Sequence, residues 1–169
     1  MIGSSDSGDE VGIPIITSIL DGSPGGVTPL CYHVNQVAQQ ITAIAPELRA
    51  AGKKAALIIL SDGEASDGDI TTALKPLTNL PVWVVIRLCT SEEPVVSYWS
   101  NIDSQLVLNM DVLDDPLGES REVAKVNTWL TYGVPLHRLR EFGVTTRELD
   151  ILDEAKLSAE NMRNICAFM

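Results

Sequence analysis

Ala55-Ala56-Leu57-Ile58-Ile59-Leu60-Ser61-Asp62-Gly63-Glu64-Ala65-Ser66-Asp67-Gly68-Asp69 carries more of the fold than any other stretch of this chain. An apolar run ends abruptly at Ser61-Asp62-Gly63, and acidic residues then cluster at Glu64, Asp67 and Asp69. A short continuous apolar run that stops at a turn reads as a buried central strand of a parallel sheet. In open α/β sheets the loops at the carboxyl ends of the strands form the ligand crevice. Asp62 is thereby placed to reach a bound ion or ligand. The competing reading treats Asp62-Gly63 and Asp67-Gly68 as turn punctuation alone.

Working outward, the elements alternate. Upstream, Asp21 to Thr28 is a loop dense in glycine and proline, and Pro29 suits the first turn of a helix with Thr28 as its N-cap. Leu30, Val34, Val37, Ala38, Ile41 and Ala45 then recur at helical spacing. Downstream, Asp69 is placed to cap a short helix from Ile70 to Leu77, broken by Pro76. Pro81 to Cys89 is a second apolar, β-branched strand, Ser91 to Asn101 a short helix, and Leu106 to Leu113 a third strand with alternating apolar residues. Glu119 to Asn127 reads as a polar helix or loop, and Asp114-Asp115 as the cap before it. Beyond Thr128 three short helices are expected: Pro135 to Phe142, Arg147 to Glu154, and Ser158 to Phe168. Strand–helix alternation implies parallel strands with right-handed crossovers. The fold class is α/β: a Rossmann-like, mostly parallel sheet flanked by helices, with a C-terminal helical extension. Residues 1–12 read as a disordered acidic tail, 13–127 as the α/β domain and 128–169 as the extension. Within the domain, Ile13 to Leu20 is a short strand or helix.

Bulk composition narrows the function. Twelve basic residues against 23 acidic ones leave a formal net charge of -11. Nucleic-acid phosphates and anionic membranes both require clustered Lys and Arg, so neither is an expected partner. The three cysteines, Cys31, Cys89 and Cys166, are scattered and odd in number; the apolar neighbours of Cys89 and Cys166 suggest small core residues. Met1 to Gly12 has no apolar core of the kind a signal peptide carries, and no apolar run reaches the length of a membrane span. A cytoplasmic location is the default expectation.

Two loops bring oxygen donors to the same end of the expected sheet: Gly25-Gly26-Val27-Thr28-Pro29-Leu30 before a helix, and Ser61-Asp62-Gly63 after a strand. Magnesium takes oxygen ligands and keeps several waters, which suits one hydroxyl and one carboxylate. His33 and His137 lie in helical contexts away from any nucleophile motif. The chain holds no G-x-S-x-G, no P-loop and no G-x-G-x-x-G.

This pairing of a GG-x-TPL loop with an apolar strand ending in S-D-G resembles the von Willebrand factor A family. The resemblance spans about residues 13 to 115. It implies a metal-ion-dependent adhesion site in which a Mg2+ or Mn2+ ion bridges to an acidic residue of a protein partner. Thr28 would supply the second-loop hydroxyl and Asp62 the third-loop carboxylate, with Ser61, Glu64 and Asp67 on the rim. The family's first loop, Asp-x-Ser-x-Ser, has no counterpart: Asp6-Ser7-Gly8-Asp9 departs from it and follows no apolar strand. The family's first strand, expected beside Ala55 to Leu60, is missing too. The chain is then a fragment of something longer, or a partner supplies that strand, or Ile13 to Leu20 fills the gap. Intrinsic metal affinity is expected to be weak or nil. The expected function is a protein-binding, adhesion- or scaffold-type module and not an enzyme. A small phosphohydrolase or phosphoryl-accepting domain using Asp62, with Arg87 and Thr90 as supporting groups, is one alternative. A purely structural domain is another.

Overall fold

Val82–Leu88 forms β2, the strand on which the sheet is assembled, and every residue in it except Arg87 is buried. In this computed structural model β2 lies between β1 (Ala55–Ser61) and β3 (Met110–Leu113), all parallel. The structure describes residues 14, 17–18, 21–22, 25–144 and 146–168. The expected tail over residues 1–12 and most of the 13–20 segment lie outside them. No helix among the described residues is long and apolar enough to cross a membrane. The chain is α/β, with a Rossmann-like three-stranded parallel sheet flanked by helices.

Alternation along β2 divides the molecule into two layers. Val82, Val84, Ile86 and Leu88 enter the larger core with α1 (Leu30–Ala50), α2 (Ile70–Leu74) and α3 (Glu93–Gln105). The buried stripe of α1 is Cys31, Val34, Ala38, Ile41 and Ala45, the face its periodicity predicts with Cys31 added. Pro76 falls in a 3-10 turn, Lys75–Asn79, that follows α2 and stops it short of Leu77. Leu106 and Leu108 pack against this core but precede the strand, which begins only at Met110.

Trp83 and Val85 face the opposite side and meet Leu113 there. This second layer is completed by α4 (Pro116–Val126) and α5 (Val134–Glu141), and α5 packs on β2 and β3. Asp115 caps α4, accepting from the N–H groups of Leu117 and Gly118. A separate core joins Val123, Tyr132 and Leu136 to Leu149, Leu152, Leu157 and Ile165. Those last four belong to α6 (Arg147–Asp150), the turns after it, and α7 (Ala159–Phe168). Ser158 accepts from the N–H of Asn161 at the start of α7, as its sequence position predicts. Among the apolar residues beyond Thr128, Tyr132 and Leu136 are buried, whereas Trp129 and Phe142 are exposed.

Two expectations are corrected here. The run Ala55–Ser61 is not the central strand: among the described residues it pairs with β2 alone and forms an edge of the sheet. Its alternate side chains, Ala56, Ile58 and Leu60, lie on the sheet face opposite the larger core and are exposed, Leu60 to 68%. Cys89 is exposed because it follows the last paired residue of β2, while Cys31 takes the buried place in the core.

Candidate functional site

The loop after β1 is fixed from three directions. Ser61 is buried, and its hydroxyl donates to the Gly63 carbonyl. The Trp99 indole N–H reaches the same carbonyl at 3.1 Å from the centre of α3. Further along, Ser66 ties the loop to the segment before α1: its hydroxyl accepts from the Thr28 N–H at 2.8 Å, and its hydroxyl and N–H both donate to the Thr28 carbonyl. The Thr28 and Asp62 loops, paired on sequence, are therefore joined at the carboxyl end of β1.

The acidic residues of this loop have divided roles. Asp67 accepts from the N–H of Cys31 at 3.0 Å and of Tyr32 at 2.8 Å, capping α1 from across the loop. Thr28 does not make that cap, because Pro29 is the N-cap residue and Asp67 meets the first free N–H groups instead. Burial pushes the Asp67 carboxyl up, but the N–H groups of Tyr32 and Cys31 together outweigh it and hold the carboxyl below its usual range. Asp69 caps α2, and the Thr72 hydroxyl at 2.6 Å lowers its carboxyl as well. Asp62 and Glu64 are exposed, and among the described residues no hydrogen bond reaches the Asp62 carboxylate or the Thr28 hydroxyl.

These donors fit a divalent cation only in part. Among the described residues the Thr28 hydroxyl and the Asp62 carboxylate are uncommitted oxygen donors, but Ser61 is turned into its own loop and Asp67 into a helix cap. Two protein oxygens leave most of an octahedral shell to water.

A larger charged centre lies on the other face, and no sequence motif marked it. Arg140, only 2% exposed, is gripped by Asp111 through two bonds of 2.9 and 3.1 Å, by Glu119 at 2.7 Å and by Asp153 at 3.4 Å. Three carboxylates around one guanidinium leave an excess of negative charge. Burial, outweighing the attraction of Arg140, pushes Glu119 up to about 8. Glu119, Glu122 and Asp153 are close enough to share an ion, and among them only Glu119 is buried. Arg140 already occupies the cation's place beside two of them, so this cluster is a structural ion network. Beside it, His137 is buried with Nδ1 3.0 Å from the Tyr132 hydroxyl and Nε2 3.2 Å from Glu141, and burial lowers its pKa against the pull of that carboxylate. His33 is exposed.

The network carries a pH signature. Burial, and then the Asp111 charge, raise Asp103 to about 7 and Asp150 to about 6, from an ordinary 3.8. A carboxyl whose folded pKa lies above its unfolded value stabilises the fold below the unfolded pKa. That stability is lost as pH rises through the folded pKa. The capping carboxylates Asp67, Asp69 and Asp115 have lowered values and stabilise in the opposite sense, failing as pH drops below their ordinary range. Stability should therefore peak near about pH 4 and decline toward pH 8. In thermal melts, Asp103→Asn should raise Tm at pH 8 by about 2–4 °C, the equivalent of roughly 1 kcal/mol in a chain this size, and change it little at pH 4. A wild-type Tm that climbs steadily from pH 5 to 8 would contradict this account.

Arg87 completes the region. Its side chain runs across the carboxyl end of the sheet to Glu141 at 2.6 Å and to the carbonyls of Leu88 and Asp114. Beyond β2 a groove of about 480 Å³ is lined by Arg87, Cys89, Thr90 and Asp115, among others. On the sheet face beside β1 an apolar groove of about 460 Å³ is lined by Ile58, Leu60, Leu88 and Phe142 under Arg138 and Glu141. Compared with known proteins, the chain matches no family model, no curated protein and no solved structure.

Proposed function

We propose that this chain is a protein-binding α/β module built on a plan like that of the von Willebrand factor A family. Its contact surface is the loop cluster at the carboxyl end of β1, and its divalent-cation site is partial. The observation that carries the reading is the joining of the two loops. Ser66 holds the Thr28 segment against the loop that begins at Asp62, and leaves the Asp62 carboxylate and the Thr28 hydroxyl uncommitted. Bound Mg2+ or Mn2+ would be a Lewis acid with open positions for an acidic side chain of the partner. Thr28 and Asp62 would hold it, directly or through water; Ser61 and Asp67 shape the rim by fixing the loop, and Glu64 adds charge to it.

The phosphoryl-transfer alternative receives less support. A phosphoryl-accepting Asp62 needs a free cation at a neighbouring strand end, and Arg87 is already engaged by Glu141 and two carbonyls.

Thermal melts in Mg2+ and in EDTA test the proposal. A weak site half-saturated by millimolar Mg2+ adds about 0.4 kcal/mol, a rise of roughly 1–2 °C. Asp62→Ala should abolish that rise. Asp67→Asn should lower both melts, through loss of the α1 cap, and keep the difference between them. A wild-type melt indifferent to Mg2+ would remove the metal from the reading and favour a structural domain.

A further inference from the structure

The two ends of β1 carry opposite charge, and the strand between them carries none. Lys53 and Lys54 precede it, Asp62 and Glu64 follow it, and Ala55–Ser61 contains no charged residue and no proline. Exposed edge strands are normally guarded by charges, prolines or bulges. This one has no such guard within its length.

Backbone direction sharpens the point. The Ala55 N–H donates to the Pro81 carbonyl, and the Ser61 carbonyl accepts from the Cys89 N–H, so the odd-numbered residues of β1 turn their backbone toward β2. By alternation, Ala56, Ile58 and Leu60 turn theirs to the edge that no described strand pairs with. Those three also share one sheet face, on which Leu60 is 68% and Phe142 69% exposed.

We infer that β1 is the seam of a homodimer, in which two copies pair antiparallel about a twofold axis through Ile58. A twofold axis makes an isologous contact, and two edge strands related by it run antiparallel. Centred on Ile58, the register sets Ile58 against its own copy and Ala56 against Leu60. All three outward residues then exchange backbone hydrogen bonds in matched pairs. The same register sets Lys54 of each copy against Asp62 of the other, on the face where Lys54 already lies over Trp83. Centring on Leu57 or Ile59 keeps the faces matched but sets Lys54 against Leu60 or Glu64 and shortens the ladder. The apolar stripe of Ile58, Leu60 and Phe142 becomes continuous across the seam. Since each copy carries a net charge of -11, association depends on this local complementarity and not on overall attraction.

The proposal does not depend on the metal reading, and EDTA in every buffer separates the two. Sedimentation equilibrium of the full chain, at about 0.15 M salt to screen charge beyond roughly 8 Å, measures it. The wild-type chain is expected to dimerise. Lys54→Asp and Asp62→Lys should each weaken the dimer about tenfold, since two facing pairs turn repulsive at once. The double variant Lys54→Asp/Asp62→Lys restores the pairs with reversed sign and should recover most of the affinity. Ile58→Lys places two ammonium groups at the axis and should give a monomer; should it fail to fold, the charge-reversal set decides alone. A wild-type chain that stays monomeric at all concentrations overturns the proposal, because the edge is then covered by other means. A dimer that survives Ile58→Lys, or one that the double reversal does not rescue, overturns it as well.

Discussion

Replacing Arg140 with methionine should cost about 3–5 kcal/mol at pH 7, the range expected when one partner of a buried ion network is removed. The guanidinium is 2% exposed and is the shared partner of Asp111 on β3, Glu119 on α4 and Asp153 after α6. These three come from separate stretches of chain, so one side chain of α5 ties the sheet to α4 and to the turn after α6. Methionine keeps much of the volume, and the loss is therefore electrostatic: it leaves the buried Asp111 carboxylate, and the Glu119 carboxyl beside it, with no cation. The diagnostic is pH. Stranded carboxyls take up protons readily, so urea unfolding of Arg140→Met should show much of the loss recovered by about pH 5, where a cavity defect would show none. Asp153→Asn, at the longest and least buried contact, should cost about 1 kcal/mol or less. An Arg140→Met chain as stable as the parent at pH 7 would mean the network contributes nothing net, as happens for some buried ion pairs replaced whole by apolar residues.

How far the sequence could anticipate this depended on separation along the chain. Val82–Leu88 and the buried stripe of α1 were legible because a period of apolar residues is a local signal. Asp69, Asp115 and Ser158 were legible as caps for the same reason, each bonding two or three residues ahead. The α1 cap was not, because Asp67 stands 36 residues from the Cys31 N–H it meets, and a threonine lay in the conventional place. Ala55–Ser61 was recognisable as a strand but not as an edge, since an apolar run looks alike with one neighbour or two. The Arg140 network was missed because its members are 29 and 21 residues from their partner, and isolated charges read as surface. Its signal was present all the same: Asp111 sits between two apolar residues of a strand, and Arg140 lies one helical turn beyond buried Leu136.

Trp99→Ala should destabilise the chain by about 3–5 kcal/mol, as large-to-small changes of a fully buried aromatic do. Trp99 is 0% exposed in the main core, and α3 packs it between the sheet and the loop after β1. Trp99→Phe separates its two roles. The ring volume is largely kept, while the indole N–H that reaches the Gly63 carbonyl is lost. That carbonyl still accepts from the Ser61 hydroxyl at 2.9 Å, so the bond itself is worth only about 1 kcal/mol. The larger consequence is positional. Gly63 follows Asp62 directly, and Trp99 is the only tether from α3 to that turn among the described residues. Hydrogen exchange at Gly63 and its neighbours should quicken in Trp99→Phe by more than global stability explains, since local opening and global unfolding are separate equilibria. The Mg2+-dependent rise in Tm should shrink in the same variant. If exchange tracks global stability alone and the Mg2+ response is intact, the turn is held by Ser61 and Ser66 without help. The position of the Asp62 carboxylate would then owe nothing to the core beneath it.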